Sequence, residues 1–148
     1  MESNRPVQSH HRDNTTIFKK IRHAHDTLSP SLYLNFCNLE EIPETVFLLE
    51  HLEHLDLRGN RITCIPPGIE KLTRLKGLYL SQNQIRELPP QLNALNQLRV
   101  LKLESNQLIE LPGDIGKLVN LRFLYAGDNH IAGVSPAVFD LKNLKGLY

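Results

Sequence analysis

The stretch LKGLYLSQNQIRELP, residues 75–89, decides the fold, because its pattern of leucines, one asparagine and a closing Leu-Pro recurs along the chain. Copies begin at residues 29, 52, 98 and 121, and a sixth copy begins at residue 144 and stops at Tyr148. The copies follow one another every 23 residues, without insertion or deletion. A constant period of roughly 20–50 residues indicates a repeat architecture, in which stacked units share one continuous core.

Seven positions of each repeat are apolar when the positions are counted from its first leucine. They are positions 1, 4, 6, 11, 14, 18 and 21, which the second repeat fills with Leu52, Leu55, Leu57, Ile62, Ile65, Ile69 and Leu72. Positions 3 to 6 alternate in polarity as a strand does, with positions 4 and 6 facing inward. Since each repeat supplies one short strand, the strands are predicted to stack in parallel about 4.8 Å apart.

Position 9 forms a separate column across the repeats. It is occupied by Cys37, Asn60, Asn83, Asn106 and Asn129. A buried amide there is predicted to hydrogen-bond the backbone that turns after the strand, whose polar groups would otherwise be unsatisfied. Cys37 is interpreted as structural rather than nucleophilic, since no histidine or acid is placed to activate it. A recurrent proline at position 15 and a short outer segment predict a 3-10 or short helical turn on the other side.

The period and the consensus resemble the leucine-rich-repeat family, in particular its 23-residue subtype with LP-x2-I-x2-L-x2 between strands. The resemblance covers residues 29–148 and implies an α/β repeat fold. This fold is a right-handed solenoid with a curved parallel sheet on the concave side and short 3-10 or helical turns on the convex side. The resemblance also implies binding to other macromolecules. Proteins of this subtype include Ras-associated scaffolds and translocated effectors of intracellular bacterial pathogens.

The chain divides into three predicted parts. Residues 1–13 are polar and without periodicity, so we predict a disordered tail. Residues 14–28 are predicted to form an N-terminal capping helix, and residues 29–148 the leucine-rich-repeat domain. The repeats within that domain span residues 29–51, 52–74, 75–97, 98–120, 121–143 and, in part, 144–148.

The predicted helix has one apolar stripe. Its members are Ile17, Phe18, Ile21, Ala24 and Leu28. Asn14 or Thr15 is available as the N-cap. The opposite face is basic, so binding to a membrane surface or to a calmodulin-like partner is the alternative to capping. We favour the cap, because the first repeat of a solenoid exposes an apolar end.

The bulk composition excludes several functions. With 17 basic and 16 acidic residues the net charge is +1, which favours neither nucleic acid nor a membrane as partner. Cys37 and Cys64 lie in different parts of the repeat, so we predict no disulfide framework and a reducing, cytoplasmic compartment. No Sec signal or membrane span is recognised. We predict no cofactor and no metal site, since His10 and His11 have no further ligand at zinc-like spacing.

The outward positions of the strands carry the candidate binding residues. Position 5 reads Tyr33, Asp56, Tyr79, Lys102, Tyr125 and Tyr148, so all four tyrosines of the chain share one column. Tyrosine is enriched at binding hot spots, although strand propensity alone is the alternative explanation. The predicted partner-binding set is Tyr33, Phe36, His54, Asp56, Arg58, Tyr79, Lys102, Phe123 and Tyr125.

Position 2 carries a row of charges on the same side. Its residues are Pro30, Glu53, Lys76, Arg99, Arg122 and Lys145. The last four of these residues are like charges at neighbouring-strand distance, which repel each other unless they are screened or paired. The favoured interpretation is that the acidic neighbours Asp56, Glu104 and Asp128 offset this row. The alternative is recognition of an acidic protein surface.

The sequence predicts no catalytic residues, because His54 and Asp56 on an open sheet have no nucleophile at a known spacing. It predicts a protein-interaction module whose concave face binds a partner, and the resemblance points to a translocated bacterial effector acting on a host protein. The alternative is the substrate-targeting half of a larger enzyme, such as a ubiquitin ligase. The abrupt end of the last repeat predicts a fragment of a longer array, or a homo-oligomer formed through that end.

Overall fold

The computed structural model describes residues 10–148, and their side chains from residue 14 onward. This part of the chain begins with one helix, α1 (His10–Asp26), and continues with six strands. The strands are β1 (Ser31–Tyr33), β2 (His54–Asp56), β3 (Gly77–Tyr79), β4 (Val100–Lys102), β5 (Phe123–Tyr125) and β6 (Gly146–Leu147).

The six strands form one open parallel sheet in the order of the sequence. Each residue pairs with the residue 23 positions later, so that Leu32 lies opposite Leu55 and Leu55 opposite Leu78. Because the repeat length never changes, this register is the same for every strand pair. Each position of the repeat therefore forms a column across the sheet, as the sequence predicted.

A 3-10 turn follows each of the first five strands on the opposite side of the solenoid. These turns are Glu44–Leu48, Pro67–Lys71, Pro90–Ala94, Ile115–Lys117 and Pro136–Asp140. Three of them begin with a proline, whose fixed φ suits a tight turn and whose missing N–H is not needed there. Each turn ends where the next leucine donates to its backbone, as Leu72 N–H does to the Ile69 carbonyl at 3.1 Å.

The core is a stack of aliphatic side chains between the sheet and the turns. The inward residues Leu55, Leu78, Leu101 and Leu124 are completely buried, as predicted for position 4. A fully buried leucine contributes about 1.5–3 kcal/mol relative to an exposed one. Repetition of this contribution in every repeat stabilises an otherwise very short strand.

Helix α1 covers the first repeat. Its residues Ile17, Ile21 and Ala24 are buried against the core. The Lys20 ammonium donates to the Tyr33 carbonyl at 3.0 Å, which ties the helix to the end of β1. The apolar stripe is thus used for capping. Within residues 10–148, no helix combines the length and the apolar character that crossing a bilayer requires.

The predicted bounds and stripe of this helix need correction. The helix begins at His10, so Asn14 and Thr15 lie inside it and neither is the N-cap. Phe18 is 55% exposed, because one step of about 100° along the helix takes it off the stripe of Ile17. Leu28 is 69% exposed and follows the helix with φ of 50°. Of the predicted tail, residues 1–9 lie outside the described residues and residues 10–13 are helical.

The asparagine column joins each repeat to the one before it. The Asn83 Nδ2 group donates to the carbonyls of Leu57 and Leu80, both at 3.0 Å, and its Oδ1 accepts from Ile62 N–H at 3.0 Å. The equivalent bonds recur at Asn60, Asn106 and Asn129. Cys37 has no earlier strand carbonyl to bridge, since it belongs to the first repeat, and its Sγ contacts the Asn35 carbonyl at 3.5 Å.

Replacement of this amide should cost more stability than its size indicates. In Asn83→Ala the buried Ile62 N–H loses its acceptor, while the Leu57 and Leu80 carbonyls each lose one of two bonds and keep the one from Asn60 or Asn106. We therefore expect the free energy of unfolding to fall by about 1–3 kcal/mol. Urea unfolding followed by circular dichroism measures this change. Gln84→Ala, one residue further at an exposed position, is the control and should change stability by less than about 0.5 kcal/mol. Equal effects of the two substitutions would contradict the bridging role.

Candidate functional site

The outward side chains of the first four strands surround a depression on the sheet. Its volume is about 420 Å³ and it is open to solvent. The lining residues are Tyr33, His54, Asp56, Arg58, Tyr79 and Lys102. The structure therefore brings six of the nine predicted partner-binding residues to one place.

Asp56 and Arg58 form the centre of this depression. They are two residues apart and therefore share a face of the extended chain. The Arg58 guanidinium donates to both carboxylate oxygens of Asp56, with Nη2 at 2.6 Å and Nε at 3.0 and 3.2 Å. Asp56 is only 3% exposed, and this hydrogen-bonded carboxylate raises the pKa of Arg58. Asp56 thus holds the Arg58 side chain in one orientation.

Tyr79 lies beside this ion pair. The centroid of its ring is 5.8 Å from Arg58 Cζ and 6.4 Å from the centroid of the His54 ring, and the planes of the two rings differ by 25°. Burial raises the pKa of Tyr79, as does the Asp56 carboxylate, and Arg58 opposes the shift. The phenol therefore stays neutral beside a guanidinium and an imidazole, where it offers both an apolar face and a hydrogen-bonding group.

Gly77 shapes the candidate site, and the sequence reasoning missed it. A Cβ atom there would lie 2.7 Å from both His54 Nδ1 and Tyr79 Oη, so the absence of a side chain lets both rings lie over the strand. The same relation holds for Gly146 and the ring of Tyr148, with a Cβ to Cε2 distance of 2.5 Å. The sequence pattern that could have indicated this role is the pentapeptide LKGLY, which occurs at residues 75–79 and 144–148 and places a glycine two residues before each tyrosine.

A second aromatic group continues along the sheet. The Lys102 ammonium lies 4.4 Å from the Tyr125 ring centroid, and Tyr125 stacks on Tyr148 at 4.7 Å and 12°. Tyr148 belongs to the tyrosine column but was absent from the predicted set. Phe123 begins β5 and pairs with Val100 of β4, so an apolar strip precedes this aromatic group. Lys102 lines the depression as well and connects the two parts of the surface.

Phe36 lies apart from both groups. It occupies position 8, where every complete repeat has a positive φ. The residues at this position are Phe36, Gly59, Gln82, Ser105 and Asp128. A bulky residue is rare in this conformation, yet the Phe36 ring is 69% exposed and rests against the backbone of Gly59. The structure therefore places this predicted site residue at the margin of the sheet.

Two charged groups of the depression, Asp56 and Arg58, form an ion pair with each other. No group of three or more histidine, cysteine or acidic side chains that could hold a metal ion occurs among residues 14–148. His54 and Asp56 share the depression, but the Asp56 carboxylate is held by Arg58. The arrangement is suited to contact with polar and aromatic groups of another molecule.

Comparison with protein-family models identifies the family of this chain. A family model described as leucine rich repeat matches residues 30–85 and 73–131. These matches cover most of the chain and coincide with the repeats described above. The chain therefore belongs to the leucine-rich-repeat family. A comparison with curated proteins gave no match.

Many solved structures resemble the fold, including the following three. The ectodomain of the plant membrane receptor kinase GASSHO1/SCHENGEN3 from Arabidopsis thaliana, solved in complex with Casparian strip integrity factor 2, has a TM-score of 0.64 at 37% identity over 72% of this chain. An internalin from Listeria monocytogenes has a TM-score of 0.71 at 30% identity over 86% of this chain. A TDR receptor has a TM-score of 0.73 at 32% identity over 80% of this chain. This chain spans 13%, 36% and 21% of their respective lengths.

Gly77→Ala should disturb the depression without unfolding the protein. The added methyl group displaces the Tyr79 and His54 rings, and we expect the pKa of Tyr79 to fall toward its ordinary value as the phenol gains water. Spectrophotometric titration of the phenols between neutral and alkaline pH measures the shift. Gly127→Ala is the matched control, since a Cβ there meets nothing within 4 Å. An unchanged Tyr79 titration in Gly77→Ala would contradict the proposed packing.

Proposed function

We propose that the concave face binds a partner protein, and that the depression around Arg58 and Tyr79 is the centre of the contact. The observation that carries the proposal is the fixed Arg58 side chain, held by the buried Asp56 carboxylate against the Tyr79 ring. This pairing occupies Arg58 Nε and Nη2, so the guanidinium keeps donors for a partner group.

Preorganisation of these side chains favours binding. Arginine and tyrosine are among the residues that contribute most to protein interfaces. A long side chain normally loses rotamer freedom when it is immobilised at an interface, at a cost of about 0.5–1.5 kcal/mol. Arg58 is already held in place in the free protein, so much of that loss is avoided. The open shape of the depression suits a protein segment better than a small molecule, which requires enclosure.

The family supports the same function. The receptor kinase ectodomain that this chain resembles was solved in complex with Casparian strip integrity factor 2. In this chain the outward residues of the sheet differ from strand to strand, whereas the inward residues repeat. Variation confined to the outward positions allows recognition to change without loss of the core.

Removal of the aromatic side chains should abolish partner binding. We expect Tyr79→Ala with Tyr125→Ala to lose a partner captured by the wild-type protein, because the cation–aromatic contacts of both groups disappear. Affinity capture followed by mass spectrometry identifies the partner, and isothermal titration with the purified partner quantifies the loss. Phe139→Ala is the control, since this ring is 82% exposed on a turn outside the sheet. Retention of full affinity by the double variant would refute the proposal.

We also propose that the protein acts in a reducing compartment, the cytoplasm or the host cytosol into which an effector would be translocated. Support comes from Cys37 and Cys64, which are both free, with Cys64 exposed. A maleimide that crosses membranes should label Cys64 in intact expressing cells, whereas a maleimide that cannot cross should not. Cys64→Ser is the control for the labelled position. Labelling by the impermeant reagent would place the protein outside the cell.

A further inference from the structure

Three cations of position 2 form a row along one edge of the concave sheet. This cationic row consists of Arg99, Arg122 and Lys145, which immediately precede β4, β5 and β6. All three side chains are exposed. None of them has an acidic partner within residues 14–148.

The backbone fixes the spacing of the cationic row. The Arg122 N–H donates to the Arg99 carbonyl at 2.8 Å, and the Lys145 N–H donates to the Arg122 carbonyl at 2.7 Å. The three residues therefore keep the separation of adjacent strands, about 4.8 Å. Like charges at neighbouring-strand distance are destabilising, so the row has a cost that the fold itself does not require.

The predicted neutralisation of this row is wrong. Asp56 is bound by Arg58, Glu104 accepts from the Ser81 hydroxyl at 2.5 Å, and Asp128 accepts from the Ser105 hydroxyl at 3.4 Å. Asp56 belongs to β2, and Glu104 and Asp128 lie beyond the ends of β4 and β5, whereas the row precedes its strands. Within residues 14–148 no ion pair joins any of these three acids to the row.

Glu53 and Lys76, which occupy position 2 of the second and third repeats, form a neutralised pair. The Lys76 ammonium donates to the Glu53 carboxylate at 2.8 Å, and this hydrogen bond lowers the pKa of Glu53. A position-2 cation is thus neutralised where the preceding repeat has an acid at the same position. Beyond Lys76 the column continues with cations alone.

We propose that the cationic row binds an acidic helix of the partner protein. The proposal rests on the function proposed above and adds the chemistry of the partner. In a helix, residues i, i+3 and i+7 share one face and span about 10.5 Å, which matches the span of about 9.6 Å across three neighbouring strands. Val100 and Phe123 follow the row and offer apolar contact to the next stripe of an amphipathic helix.

A protein helix fits this surface better than a nucleic acid or a membrane does. The row has only three cations, and the chain as a whole has a net charge of +1. Nucleic-acid and anionic-lipid binding depend on a larger excess of basic charge. Aromatic and apolar residues adjoin the row, and these side chains are typical of protein interfaces.

The test uses a fluorescent, alanine-rich helical peptide of about 18 residues, long enough to be helical, with glutamate at i, i+3 and i+7 and leucine on the adjacent stripe. Fluorescence anisotropy at low ionic strength measures its affinity for the full chain. We expect Arg99→Gln, Arg122→Gln and Lys145→Gln together to weaken binding by about tenfold or more. Added salt should weaken binding to the wild-type protein.

Matched controls separate position from charge. The triple variant Arg61→Gln, Lys71→Gln and Lys142→Gln removes three exposed cations outside the row and should keep full affinity. A peptide of the same composition with its glutamates spread around the helix should bind about tenfold more weakly. Equal binding of both peptides, or equal loss in both triple variants, would overturn the proposal. Tighter row-dependent binding of phosphatidylserine vesicles or of a single-stranded oligonucleotide would overturn it as well.

The captured partner distinguishes this proposal from the broader one. If the partner requires Tyr79 but binds the row variant as it binds the wild-type protein, the acidic-helix proposal fails and the proposed function stands. If the partner binds the Tyr79 variant and the row variant with unchanged affinity, the proposed function fails, and the acidic-helix proposal that rests on it fails too. If the Tyr79 variant and the row variant both lose affinity for the partner, the result supports the proposed function and the acidic-helix proposal.

Discussion

The asparagine amide that joins one repeat to the preceding repeat is the interaction on which the rest of the structure depends. Asn83 satisfies backbone groups of its own turn and of the turn before it, so the geometry of one repeat dictates the geometry of the next. In this chain the bond joins residues 21 and 26 positions apart at each of the later repeats. The constant repeat length aligns equivalent positions in columns, and both the core and the proposed binding surface are built from such columns.

The sequence predicted the columns because each has a physical requirement that a residue type can meet. Inward leucines, bridging asparagines and turn prolines recur, so their roles can be inferred from spacing alone. The bounds of α1 were predicted less well. The buried residues Ile17, Ile21 and Ala24 were predicted correctly. Phe18 was wrongly grouped with them, because a helix rotates by about 100° per residue and two adjacent residues therefore face different directions. Leu28 was likewise grouped with them, although its positive φ ends the helix pattern.

The placement of the candidate site residues was predicted in part, because the repeat register aligns them, and their role in binding stays a prediction. The tyrosine column followed from the register, whereas the ion pair between Asp56 and Arg58 was not predicted, although the two residues share a face of the extended chain. The alignment of equivalent positions does not show which side chains at different positions of the repeat contact each other, as His54 and Tyr79 do. Gly77 matters because it has no side chain, which a search for functional side chains overlooks. The prediction that Asp56, Glu104 and Asp128 offset the cationic row was wrong because these acids contact Arg58, Ser81 and Ser105 instead, which residue spacing alone does not show.

The charges of the sheet differ along the solenoid, and this difference has a consequence for recognition. Toward the N-terminal side, Glu53 pairs with Lys76 and Asp56 with Arg58, so the surface there is locally neutral and well ordered. Further along, the cationic row remains unpaired and Lys102 contacts an aromatic ring rather than an acid. Paired charges position side chains for contact, whereas unpaired charges attract and orient a partner over a longer range. A partner would therefore be oriented by one half of the sheet and held by the preorganised side chains of the other half.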